Sequence, residues 1–218
     1  TDRDGRYLGS KNIPGEYPPG GAVDIDVDGI IGELDQPAGD YMAIIVLSSG
    51  VMNFFGGSPG AFSVTYVGEK TYTTYRTGGF TRTLNDPRKK KHYGFRGINP
   101  KIVVDDSFMS SILLINHSSY TGYEKEITPE AKLIREDGET REAKFGLIQP
   151  FGGLERNMEE LFGTDVSDFL APYKGRGTVI TRATGATLAA IHLLRKTDGT
   201  SMAIEHSRPT HAYLLNGA

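Results

Sequence analysis

The sequence predicts a mostly β protein, an antiparallel β-sandwich with one or two short helices near residues 154–170. Three observations predict it. Runs rich in Val, Ile, Thr, Tyr and Phe, the residues that suit a pleated surface, recur from Val23 to the C-terminal end. Asp137-Gly138 and Asp198-Gly199 each separate two such runs, and Asp-Gly suits a tight type I′ hairpin turn. No long helical periodicity lies between the strands, which argues against an alternating α/β fold.

The elements follow in order. Residues 1–22 hold three prolines and five glycines without periodicity, and read as an extended arm suited to docking on a neighbouring subunit. Tyr41–Leu47 is a continuous apolar run between turn residues and reads as a buried strand. Phe62–Val67 and Thr71–Thr77 flank a short glycine-containing loop and read as a hairpin. Residues 78–101 read as irregular; Ile102–Val104 and Phe108–Asn116 then read as strands. Thr128–Glu136 and Glu139–Ile148 form the first Asp-Gly hairpin. Leu154, Met158, Leu161 and Phe162 fall on one helical face before Gly163, so 154–163 reads as a helix, and Asp165–Leu170 as a further turn. Gly177–Ala183, Thr187–Lys196, Thr200–His206 and His211–Leu215 close the chain as strands. The expected division is an arm at 1–22, a β-rich subdomain or additional strands at 23–101, and the sandwich at 102–218.

The order Asn116, Asp137-Gly138, Pro150-Phe151-Gly152-Gly153 and Leu161-Phe162-Gly163 is similar to that of immunoglobulin-like sandwich modules in bacterial surface proteins. The resemblance rests on turn residues over about half of the chain. It implies a sandwich of immunoglobulin-like or jelly-roll-like type.

Composition narrows the function. The 218 residues carry 24 Lys plus Arg against 27 Asp plus Glu, a net charge of −3, which argues against a strongly basic nucleic-acid binder. Cysteine is absent, which excludes a thiol nucleophile, a cysteine-ligated metal site and a disulfide framework. No apolar run approaches the roughly 18 residues of a membrane span. The chain begins TDRDGRY without methionine and reads as a processed form, so an extracellular or periplasmic location is expected. The elbow, phosphate-loop, dinucleotide and zinc-protease signatures are all missing.

Four groups of residues carry chemistry. Asp24, Asp26, Asp28, Gly29 and Asp35 match the spacing of a calcium loop, in which alternating carboxylates surround a hard cation; calcium is the one cofactor considered, and none is required. The competing reading is a half-buried strand with Val23, Ile25 and Val27 inward. A two-residue loop at Asp198-Gly199 sets His192 directly opposite Glu205, with His206 and His211 near in sequence. A carboxylate holding an imidazole suits a general base, an oriented transition-metal ligand or an ordinary ion pair. Arg88, Lys90 and Tyr93 lie in a basic, aromatic-interleaved segment suited to an acidic glycan or an acidic protein patch. Tyr66, Tyr72 and Arg76 belong to a tyrosine-rich hairpin that offers stacking and hydroxyl contacts to sugars. The expected function is a non-catalytic binding or assembly module with a glycan or protein partner. The alternative is a metal-dependent or carbohydrate-active enzyme using the His/Glu group.

Overall fold

The computed structural model describes residues 1–12, 24–34, 36, 62–67, 70–77, 85, 94–118, 120, 122–206 and 208–209. The strands expected at Tyr41–Leu47 and His211–Leu215 lie outside them, as does the basic segment with Arg88, Lys90 and Tyr93.

The described elements are α1 (Val27–Glu33), β1 (Phe62–Val67), β2 (Tyr72–Thr77), β3 (Gly94–Val103), β4 (Phe108–Ile115), β5 (Glu130–Arg135), β6 (Thr140–Lys144), β7 (Gly153–Asn157), α2 (Met158–Phe162), α3 (Val166–Leu170), β8 (Arg176–Thr184), β9 (Ala189–Lys196), β10 (Met202–His206) and β11 (Arg208–Pro209). All described strand pairs are antiparallel. One sheet runs β10-β9-β4-β7, a second runs β11-β3-β8-β5-β6, and β1 pairs with β2 alone. The protein is therefore mostly β and sandwich-like, as the sequence predicts.

The core lies between the two larger sheets. Ile112, Leu114 and Leu154 face Leu133, Val179 and Ile102, and Met158, Leu161, Val166 and Leu170 from α2 and α3 join the same cluster. Each fully buried aliphatic side chain contributes about 1.5–3 kcal/mol. The four-stranded sheet is also buried on its other face, where Ile191 and Leu193 are enclosed. That two-sided burial explains why β9, AAIHLLRK, lacks apolar alternation.

The hairpin turns differ from the expected type I′ pairs. Asp137 and Asp198 both keep negative φ, and only Gly138 and Gly199 are left-handed. At the first turn Arg135 N–H donates to Glu139 O and Gly138 N–H to Arg135 O, closing a three-residue loop. At the second, Lys196 N–H donates to Ser201 O, closing a four-residue loop. The aspartates act as acceptors instead: Asp137 Oδ1 takes the Glu139 N–H and Asp198 Oδ1 the Thr200 N–H. Loops of two and four residues leave the same cross-strand partners, so the expected pairing of His192 with Glu205 holds.

Three elements depart from expectation. The segment around Asp24–Asp28 is no strand: Asp26 caps α1, its Oδ1 accepting the Gly29 N–H at 3.0 Å. Residues 154–157 are strand, and the helix begins only after Asn157, where Asn157 and Glu160 form a reciprocal capping box. The stretch 94–101, expected irregular, is part of β3. Its inward positions include Gly97 and Asn99, which hide the alternation, and a bulge between Asn99 and Ile102 accommodates Pro100, which has no N–H to give.

Buried asparagines pin the loops. Asn116 Nδ2 donates to Lys125 O, Ile148 O and Gln149 O, while its Oδ1 accepts the Tyr123 hydroxyl at 2.8 Å. Asn85 Nδ2 donates to His117 O and Thr187 O, and its Oδ1 accepts the Thr187 N–H. Residues Asp2–Arg6, expected to be extended, form a turn seated on the chain's own 149–153 loop through Gly153 N–H to Arg3 O and Thr1 Oγ1 to Phe151 O. Asn116→Ala leaves several buried groups unsatisfied and is expected to cost about 3 kcal/mol in urea unfolding. Asn116→Asp is expected to do no better, because a carboxylate would face the same carbonyls; an unchanged midpoint for either would contradict the pinning role.

Candidate functional site

His192 sits in the middle of the four-stranded sheet, with β10 on one side and β4 on the other. Its Cα partners are Glu205 and Ile112, so it shares the core-facing side with Ile112 and Leu114. The ring is 4 % exposed. Nε2 lies 3.0 Å from Ser110 Oγ, and Nδ1 lies 3.9 Å from Glu205 Oε2. Glu205 also pairs with Lys101 Nζ, at 3.0 Å, from the opposing sheet.

This order of serine, imidazole and carboxylate has the connectivity of a nucleophile, its base and an orienting acid. Its surroundings change what it can do. Ser110 is fully buried, and its Oγ accepts the Val103 N–H at 2.9 Å. Burial lowers the His192 pKa; the Glu205 charge opposes that shift and the Lys101 charge adds to it. Nε2 and the Ser110 hydroxyl share one hydrogen bond, and the group ties β9 and β4 to β3 across the interior. Sequence reasoning found His192 and Glu205 but missed Ser110. The signal available was Ser110-Ser111 inside the apolar strand FMSSILLI.

The other histidines do not join this group. His206 pairs with Ile191, one position out of step with His192, so the register places it on the opposite side of the sheet. His211 lies outside the described residues. Among the described residues no three His, Asp or Glu side chains gather closely enough to hold a metal ion. Asp26 serves as the cap of α1, Asp24 and Asp28 are exposed, and Asp35 lies outside the described residues.

On the far side of the same sheet, Ser111, Glu155 and Arg195 form a half-buried set. Ser111 Oγ donates to Glu155 Oε1 at 2.5 Å, and Arg195 binds both. Burial works against the Glu155 charge, but the bonds from Arg195 and Ser111 hold its pKa below the usual value. Every member is satisfied, which suits a structural role.

Among the described residues the most exposed aromatic ring, Tyr72, lies on the β1–β2 hairpin. Tyr72 is 74 % exposed, and Thr74 is exposed two positions on. The register aligns Tyr72, Thr74 and Arg76 with Val67, Thr65 and Ser63 on one face. Tyr66 pairs with Thr73 and so lies on the other face, apart from Tyr72 and Arg76. β2 lies against β10, which fixes the hairpin to the sandwich.

No protein-family model and no curated protein matches the chain. Among solved structures, the crystal structure of Thermotoga maritima 1070 aligns with TM-score 0.38 and 10 % identity, over 52 % of this chain and 92 % of that one.

The His192 environment predicts a pH dependence. Its folded pKa is below the ordinary 6.5, so the unfolded chain binds the proton more readily. Stability is therefore full above that value and declines as pH falls from it toward the folded-state pKa. His117, also lowered by burial, adds a decline of the same sign. Urea midpoints measured from pH 7.5 to 5 are expected to fall, and less steeply in His192→Gln; equal slopes would contradict this account.

Proposed function

We propose that the protein is a non-catalytic, extracytoplasmic binding module that acts through its outer surface on a glycan. The observation that carries the reading is the hairpin face: an exposed Tyr72 with Thr74 beside it and Thr65, Ser63 and Arg76 aligned by register. A flat strand surface with one open aromatic ring and several hydroxyl-bearing positions suits a sugar, which offers an apolar ring face and a rim of hydroxyls. Such a surface needs rigid backing, and the antiparallel ladder from Phe62–Thr77 to Val67–Tyr72 supplies it. The burial of Ser110 favours the same reading, because a shielded hydroxyl cannot reach a substrate carbonyl or sugar carbon. The extracellular or periplasmic location belongs to this proposal and rests on the kind of ligand proposed.

Affinity electrophoresis through gels holding a series of neutral and acidic soluble polysaccharides tests it. At least one polysaccharide is expected to retard the protein, and Tyr72→Ala to remove most of that retardation with an unchanged melting temperature. Equal retardation of the variant, or none with any polysaccharide, would refute the hairpin as the binding face.

A further inference from the structure

A second surface stands apart from the hairpin, at the β7 edge of the four-stranded sheet. Neighbouring residues of a strand direct their backbone groups alternately to the two sides. Three hydrogen bonds fix that alternation here. Asn116 N–H donates to Gly152 O, on the β4 side. Gly153 N–H donates outward to Arg3 O at 3.1 Å. Asn157 N–H donates outward to Glu160 Oε2 at 2.8 Å. Glu155 lies between the last two and faces outward with them. Its N–H and C=O, and the C=O of Gly153, have no partner among the described residues.

A cleft of about 300 Å³ runs beside this edge, and Arg3, Asp4, Gly146, Leu147, Gly153 and Arg156 are among the residues lining it. Leu147 is 53 % exposed and offers apolar contact. Arg156 lines the cleft and stands 4.0 Å from Glu160, at the outer limit of an ion pair.

We propose that this edge and cleft dock an extended polypeptide segment bearing a carboxylate. The segment adds a short strand to β7, exchanging backbone hydrogen bonds with Glu155, while its carboxylate meets Arg156. The chain's own Arg3 already makes the first rung of that ladder at Gly153. The hairpin proposal does not depend on this one, and either can fail alone.

The probe is an N-acetylated peptide of alternating threonine and valine ending in glutamate, titrated into the full chain while backbone amide shifts are recorded. Shifts are expected at Gly153, Glu155 and Leu147. N-methylation of alternate peptide amides is expected to weaken binding about tenfold or more, and Arg156→Gln to weaken it several-fold. Glu155→Pro removes an outward N–H that the β4 ladder does not use, a position where proline is tolerated, and is expected to abolish binding. Glu155→Gln controls for the lost pair with Arg195, and melting temperatures separate lost docking from lost folding. If Glu155→Pro does not fold, the N-methylated peptide and Arg156→Gln decide. No shift at these amides, or equal binding of the N-methylated peptide, would overturn the proposal.

Discussion

One hydroxyl group sits where the two sheets must agree. Ser110 Oγ takes the Val103 N–H from β3 and meets His192 Nε2 from β9, while its own backbone belongs to β4. The three strands come from both sheets, so the contact ties their register and spacing together. Removing one partner from such a buried set leaves the others unsatisfied, which costs about 1–3 kcal/mol per group. The polar tie also makes this packing specific, since purely apolar faces can slide whereas a three-way hydrogen-bonded contact cannot. Lys101 and Glu205 close the group at its outer side, at a position where solvent screening leaves their pairing little energy of its own.

The remaining structure follows from burying both inner faces at once. α2 and α3 carry Met158, Leu161, Val166 and Leu170 into the core. Arg135 and Arg141 stack on Phe169 of α3, and each holds an aspartate, Asp137 and Asp165. The Arg135 guanidinium holds the Asp137 pKa down to about 2. Buried asparagines then fix the loops by giving carbonyls the donors they would otherwise find in water. Among the described residues, the hairpin residue Tyr72 is widely exposed, and β7 and β6 are outer strands of their sheets.

How much of this was legible in the sequence depended on which chemistry each residue used. The β5–β6 and β9–β10 hairpins were legible because Asp-Gly marks a reversal under either turn type. Their loop lengths were not, because the aspartates work through carboxylate hydrogen bonds and not through left-handed backbone. β3 was hidden by Gly97 and Asn99 at inward positions. The alternation of Asp24 to Asp28 imitates a strand, and only the Asp26 side chain reaching Gly29 N–H reveals the helix start. In the candidate site, the partnership of His192 with Glu205 was legible from register alone. Ser110 was not, because its partner lies 82 residues away on another strand.

The buried Ser110–His192 contact ties the two sheets together, and the shielding of the hydroxyl predicts that it does not react with an added electrophile. Incubation with a fluorophosphonate, which captures activated serine hydroxyls, followed by intact-mass measurement tests this most directly. The account predicts no adduct on the folded protein. A stoichiometric adduct mapped to Ser110 would contradict it.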